Sequence, residues 1–300
     1  MKIGYPCINR TLDCTSNRTF RLKSYSVENL IEKVENNLDC LKRILKFNIK
    51  NDLLFFRISS DLVPFASHEV NDYDWGGHFR DKFQEIGDMI KENDIRISMH
   101  PDQFIVLNSN KEDVYHRSVD ELLYHAEVLD LLGLDRTAKI QLHVGGVYGN
   151  KEKSRKRFIK RYSELDEVIK NRLVIENDEK SYSVKDCLEI SKESGVPVLF
   201  DYFHHQLNNN DEELTRIFKE VEGTWKEHDS IPMMDYSSQM MDEREGRHAE
   251  SIDEGDFIKF IERSKPYDFD LMLEIKDKEK SALKAVDLVS DDPRSIPAQI

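Results

Sequence analysis

The sequence predicts a (β/α)8 TIM barrel, and three observations carry that assignment. Short apolar segments alternate with helical patterns eight times in succession, the number that closes a parallel barrel. Six of those segments stop at a histidine or a carboxylate: His100, His143, Glu176, Asp201, Asp235 and Glu274. No GxGxxG turn follows the first strand, which disfavours the runner-up, a doubly wound open sheet. In a barrel the C-terminal strand ends converge on one face, so residues far apart in sequence would surround one cavity.

The first unit begins at Lys2-Ile3-Gly4-Tyr5, and Val27, Leu30, Val34, Leu38, Leu41 and Leu45 trace a helical stripe over 26–47. Residues 53–58 form the second strand, a polar loop carries His68 and Trp75, and a helix follows over 78–91. A third strand over 95–99 ends at His100, and Pro101 prevents a helix from starting directly on it. The helix of that unit is expected over 113–132.

Residues 139–142 end at His143, with Gly145 and Gly146 giving a permissive loop before a basic helix. Residues 173–175 end at Glu176 and precede a helix over 184–194. The β-branched run Val196-Pro197-Val198-Leu199-Phe200 ends at Asp201, with His204 and His205 in the polar loop beyond and a helix over 211–226. Residues 231–234 end at Asp235, and Pro232 stands near the strand start, where a missing N–H is tolerated. A long loop through His248 leads to a helix over 254–263, and the eighth strand, 269–273, ends at Glu274 before a last helix with Leu283, Val286 and Leu288.

Three hundred residues without a Gly/Ser/Pro-rich linker imply one domain over 1–300. The chain starts without an apolar leader and has no run of membrane-spanning length, so a cytoplasmic location is expected. The four cysteines have no CxxC spacing; Cys40 and Cys187 fall in helical patterns and read as buried free thiols, with neither a disulfide framework nor a cysteine zinc site expected. A net charge of −14 argues against an extended basic surface for nonspecific nucleic-acid binding. The segment 151–161 nevertheless sets seven basic residues against Glu152, either as a solvated helix face or as a DNA-contacting ridge.

A lone strand-end histidine or carboxylate often caps the next helix, but six in succession, joined by His204 and His248 from the following loops, point to metal. Packed carboxylates repel unless divalent cations neutralise them, so more than one ion is expected. Mixed imidazole and carboxylate donors suit zinc or manganese better than magnesium or calcium. Neighbouring ions sharing a carboxylate such as Glu176 fit in-line displacement at phosphorus, hence phosphodiester hydrolysis.

At these residues the chain resembles the ultraviolet damage endonucleases, a DNA-repair family related in fold and metal site to endonuclease IV. The resemblance rests on Asn9-Arg10-Thr11-Leu12, Phe56-Arg57-Ile58-Ser59-Ser60, His100-Pro101-Asp102-Gln103, Leu142-His143-Val144-Gly145-Gly146 and Ile175-Glu176-Asn177-Asp178. It continues through Asp201 with His204-His205, Asp235-Tyr236-Ser237-Ser238-Gln239, Gly246-Arg247-His248 and Glu274-Ile275-Lys276-Asp277-Lys278, and covers nearly the whole chain.

The resemblance implies two to three divalent ions, manganese first, with zinc or magnesium as alternatives. It implies incision of damaged double-stranded DNA, by a monomer, immediately 5′ to cyclobutane pyrimidine dimers, 6-4 photoproducts and abasic sites, leaving 3′-hydroxyl and 5′-phosphate ends. His100, His143 and Glu176 would hold one ion; Glu176, Asp201, Glu274 and Asp235 a second; His204 and His248 a third. His68 would lie near the scissile phosphate, Gln103 and Phe104 would wedge into the duplex, and Tyr5 and Asn9 would line the lesion pocket. Two departures stand out: Phe104 replaces the tyrosine of some relatives, and Met233 with Asp235 replaces a lysine and a metal-binding histidine.

Three other readings compete. An abasic-site endonuclease of the endonuclease IV type would use similar metals with a different probe loop. A sugar isomerase on the same barrel would have no evident use for His204 with His248. A damage-binding protein that does not cut would have no need of the full ligand set.

Overall fold

The apolar, β-branched character of the eight short segments is that of strands covered on both faces, and each forms a parallel strand of a closed barrel. The computed structural model describes residues 1–295, so the last five positions of the expected 1–300 domain lie outside the described residues. The strands are β1 Ile3–Pro6, β2 Phe55–Ile58, β3 Arg96–Met99, β4 Lys139–His143, β5 Leu173–Glu176, β6 Val198–Asp201, β7 Met233–Tyr236 and β8 Asp270–Leu273. Each pairs with its sequence neighbour, and Ile3 opposite Leu271 closes the ring. Gly4 is required where β1 lies against β2, because a Cβ there would stand 1.7 Å from the Phe55 carbonyl oxygen.

The helices run α1 Val27–Lys50, α2 Trp75–His78, α3 Arg80–Glu92, α4 Glu112–Leu131, α5 Lys151–Glu164 and α6 Glu167–Lys170. They continue with α7 Val184–Ser194, α8 Tyr202–Leu207, α9 Leu214–Glu222, α10 Glu254–Arg263 and α11 Glu279–Leu288. Local signals set several ends. Ser26 caps α1 through the Asn29 N–H, Ser183 and Asp186 form a capping box on α7, and Gly195 closes α7 at φ 78°.

Four expectations change. The helix expected over 78–91 is α3, and the polar loop before it holds a separate turn, α2, where Asp74 accepts the Gly77 N–H as its cap. Residues 202–207, expected in the polar loop after β6, form helix α8, begun by Asp201 as its cap. The helix expected over 211–226 is trimmed to α9. Cys40 is not a free thiol: it forms a disulfide with Cys14 across 26 positions, with Cα atoms 5.8 Å apart. The N-terminal loop folds back onto α1 and brings the two together, a contact that spacing alone does not encode. Cys187 is a buried free thiol, as expected.

The barrel interior is polar over much of its depth. Alternation along β4 sends Lys139, Gln141 and His143 inward at successive levels. At the lower level Lys139 pairs with Asp229, while Arg96 reaches Asp270 at 3.3 Å and the Asp229 carbonyl at 2.8 Å. These buried pairs plug the bottom, and the strand ends with their histidines and carboxylates crown the top.

Candidate metal centre at the barrel mouth

Three sets of donor atoms lie close enough to hold a metal ion: His100, His143 and Glu176; Glu176, Asp201 and His204; and Asp201, Asp235 and Glu274. Glu176 is common to the first two, at the centre of the mouth. One of its carboxylate oxygens lies 3.3 Å from His100 Nε2 and 3.8 Å from His143 Nε2; the other lies 3.1 Å from His204 Nδ1. The imidazoles follow one another around the rim, with ring centres separated by 5.2 Å from His100 to His143, 5.7 Å to His204 and 6.4 Å to His248.

Backbone carbonyls set the direction of these rings. The Nδ1–H groups of His100 and His248 are placed to donate to the carbonyls of Pro101 at 2.7 Å and Glu274 at 2.9 Å, while His204 Nδ1 lies between the Asn177 carbonyl at 3.0 Å and the Glu176 carboxylate. At His100 and His248 that tautomer leaves the Nε2 lone pair for a ligand bond, the usual arrangement behind a metal-binding imidazole, whereas His204 turns Nδ1 itself towards Glu176 and Asp201.

Asp201 does two jobs that sequence reasoning set against each other. One oxygen caps α8 by accepting the His204 N–H at 2.7 Å, while the other is buried with no hydrogen-bond partner among the described residues. An orphaned carboxylate oxygen facing His204 and Glu176 is a donor suited to a divalent cation, so the side chains present fit such an ion.

Sequence reasoning gave no role to Arg57 and missed Gln141, and these wire the other half of the cluster. The Arg57 guanidinium donates to both oxygens of Asp235, at 2.7 and 2.9 Å, to Gln141 at 2.7 Å, and to Glu274. Gln141 in turn donates to Asp235 at 2.6 Å and to Glu176. A polar residue interrupting a buried apolar run, Arg in Phe-Phe-Arg-Ile and Gln in Lys-Ile-Gln-Leu-His, was the available signal.

The electrostatics follow this wiring. Burial would raise the Glu176 carboxyl, but His143, His100 and His204 hold it well below the usual carboxylate range. Burial raises Asp201 well above that range, opposed by His204 and reinforced by Glu176, Glu274 and Asp235. Asp235 is pushed up to about 7 by burial despite Arg57. Burial is outweighed at Glu274, which Arg57 draws down to about 2. Glu176 and Glu274 are thus the firm anions of the mouth.

The remaining expected residues divide. Gln103 and Phe104 stand on the loop between β3 and α4 and line a cleft of about 580 Å³ with His100, His248, Arg57 and Glu274; Phe104 is 73% exposed. His248 lies beside His204 but belongs to none of the three donor sets. His68 is exposed on the loop after β2, where its partners are the Val70 N–H and the Phe65 ring. Tyr5 and Asn9, expected to line the lesion pocket, are not among the residues of this cleft. Tyr5 is fully buried, its hydroxyl shared between Asn48 on α1 and Asn9, and Asn9 is 4% exposed and folds the 9–12 turn onto its own side chain. On β1 the alternation turns Tyr5 away from the lumen towards α1.

The basic segment on α5 is largely spent on protein contacts. Arg155 meets Glu152, Glu189 and Glu193, and Lys151 meets Asp186. Arg157 donates to the Asn108 carbonyl at 2.7 Å and Arg161 to those of Leu107 and Ser109 at 2.8 and 2.6 Å, so both clamp the loop that carries Gln103 and Phe104.

Comparison with known proteins agrees with this geometry. A family model described as UV-endonuclease UvdE matches residues 1–295. The chain is 42% identical over 293 residues to the UV DNA damage endonuclease of Clostridium perfringens (strain 13 / Type A), covering 97% of this chain and 71% of that protein. It is 32% identical over 301 residues to the UV DNA damage endonuclease of Bacillus cereus (strain G9842), covering 97% and 95%. The crystal structure of SacUVDE superposes with a TM-score of 0.93 at 46% identity, over 97% of this chain and 98% of that one. Endonuclease IV from Thermus thermophilus shares the fold, with a TM-score of 0.57 at 14% identity over 84% and 94% of the two chains.

Proposed function

The chain belongs to the UV-endonuclease UvdE family, and on that premise we propose that it incises damaged double-stranded DNA immediately 5′ to the lesion. Cyclobutane pyrimidine dimers, 6-4 photoproducts and abasic sites are the substrates of this reading, and 3′-hydroxyl and 5′-phosphate ends its products. The observation that carries it is Glu176, a buried anion ringed by His100, His143 and His204 beside the orphaned oxygen of Asp201.

His100, His143 and Glu176 would hold one ion, and Glu176, Asp201 and His204 a second. When bound there, divalent ions, manganese first, would supply Lewis-acid activation of water and stabilisation of charge on the phosphate and the leaving oxygen. The chain's own residues do the rest. The Pro101 carbonyl fixes the ring of His100, and Gln141 fixes the Glu176 carboxylate against rotation. Arg57 balances Asp235 and Glu274, so the third donor set is already partly neutralised. Gln103 and the exposed ring of Phe104 would fill the gap left when damaged nucleotides leave the stack, and His68 would meet the strand near the scissile phosphate. A monomer acting in the cytoplasm belongs to the same proposal; no helix among the described residues is long and apolar enough to cross a membrane.

The test is incision of an end-labelled duplex with one thymine dimer, beside an abasic analogue and an undamaged control, in EDTA and with manganese restored. Metal-dependent cutting immediately 5′ to the dimer supports the proposal. Cutting confined to the abasic analogue would move the chain to the endonuclease IV type of activity, and no cutting would overturn the enzyme reading.

A further inference from the structure

The cleft beside the ligand cluster contains a cation to which no role has yet been given. Lys278 follows β8 and lines the same cleft as Glu274, His100, Gln103 and Phe104. Nearby cations are already committed: Lys276 to Glu250 at 2.9 Å, and Arg57 to Asp235 and Glu274. The Lys278 backbone N–H donates to the Ile275 carbonyl at 3.1 Å, but among the described residues its ammonium has neither a hydrogen bond nor an ion pair.

The backbone makes the choice of lysine more telling. Lys278 is held at φ 58° and Cys7, another residue of this cleft, at φ 70°, both in the left-handed region that suits glycine. Strain of this kind persists where the surroundings impose it and gathers at functional sites. Here the buried Glu279 carboxylate, accepting from the Arg10 N–H and the Thr11 hydroxyl at 2.8 Å each, ties the first loop to the turn after β8. The Lys276 and Asp277 N–H groups are pinned to the carbonyls of Ala249 and Glu250, at 3.2 and 3.0 Å. Glycine would relax this turn, yet a long cation occupies it.

Burial lowers the Lys278 ammonium from its ordinary value, with Cys7 and Glu274 opposing, and burial raises the Cys7 thiol, so the thiol is not an anionic partner. A half-buried ammonium without an ion pair, opening into a cleft that receives a polyanion, has a phosphate as its natural counter-ion.

We propose that Lys278 binds a backbone phosphodiester of the strand being cut and positions that strand against Glu274 and Glu176. The inference rests on the endonuclease reading above and deepens it by naming a substrate contact.

The test is single-turnover incision of the thymine-dimer duplex in manganese across a salt series, with wild type, Lys278→Gly and Lys278→Arg. Glycine removes the charge and the backbone strain together, so this variant is expected to melt no lower than wild type. Its half-saturating enzyme concentration should nevertheless rise roughly tenfold or more, with a smaller change in limiting rate. Its salt slope should fall by about one, and Lys278→Arg should restore most of the affinity.

A series of duplexes, each with one neutral methylphosphonate near the lesion, identifies the phosphate: the substitution that weakens wild type should leave Lys278→Gly unaffected. Wild type that cuts while Lys278→Gly keeps its affinity and salt slope overturns this inference and spares the functional reading. So does a methylphosphonate series that penalises wild type and Lys278→Gly alike. Wild type that does not cut overturns both.

Discussion

The Arg57 guanidinium lies 2.7 and 2.9 Å from the two carboxylate oxygens of Asp235, inside the barrel and below the ring of imidazoles. The protein thus supplies one of its own cations to a cluster whose carboxylates would otherwise depend on metal for neutralisation. Removing it as Arg57→Met leaves Asp235 and Glu274 uncompensated, and should cost about 3–5 kcal/mol in metal-free buffer. Added manganese should recover part of that loss by standing near the same carboxylates. Urea denaturation of wild type and variant, each with EDTA and with manganese, measures both effects; equal metal responses would separate Arg57 from the metal centre.

Glu176→Gln keeps the shape of the side chain and removes the central anion. Because Glu176 contacts His100, His143 and His204, the variant should lose bound metal and at least about a hundredfold in incision rate while staying folded. Elemental analysis of the purified protein beside single-turnover incision reads both quantities. Full metal content with full activity would displace Glu176 from the centre.

Phe104 is 73% exposed, so Phe104→Ala should change stability by no more than about 0.5 kcal/mol. A ring that stacks in the duplex gap is worth about 1–3 kcal/mol, and affinity for the dimer duplex should fall accordingly while affinity for undamaged DNA changes little. Fluorescence anisotropy with the two duplexes decides whether the ring contacts the lesion.

Arg161→Met strips the Leu107 and Ser109 carbonyls of their shared donor and should cost about 1–3 kcal/mol. Hydrogen exchange should quicken over 103–109 before it does elsewhere. Arg155→Glu, by contrast, disrupts contacts to glutamates on the protein itself and should leave the salt slope of DNA binding unchanged. A reduced slope would restore α5 to the DNA interface.

His125 is buried between the Glu121 carbonyl and the Ser60 hydroxyl, and burial lowers it from its ordinary 6.5 to about 4. Between those two values the unfolded chain binds a proton that the folded chain does not, so stability is full above pH 6.5 and falls as pH drops towards 4. From pH 7 to pH 5 this group should remove about 2 kcal/mol, a loss that His125→Gln would not show. Denaturation midpoints of both proteins at the two pH values measure the difference.

The barrel and the ring of histidines and carboxylates at its mouth were legible in the order of residues alone. Apolar runs and helical stripes are local patterns, and a histidine or carboxylate directly after an apolar run identifies a strand end with no knowledge of its neighbours. Hence His100, His143, Glu176, Asp201 and Glu274 stand where those patterns put them. What each of them touches was settled by closure of the fold. The pairing of Arg57 with Asp235 spans 178 positions and that of Gln141 with Glu176 spans 35, and no local periodicity encodes either. The same holds for the Cys14–Cys40 disulfide, for Tyr5 turned onto Asn48, and for the α5 arginines spent on glutamates and on the probe loop. One cause is common to all of them: burial and hydrogen-bond demand are satisfied by whichever partner the closed barrel brings near.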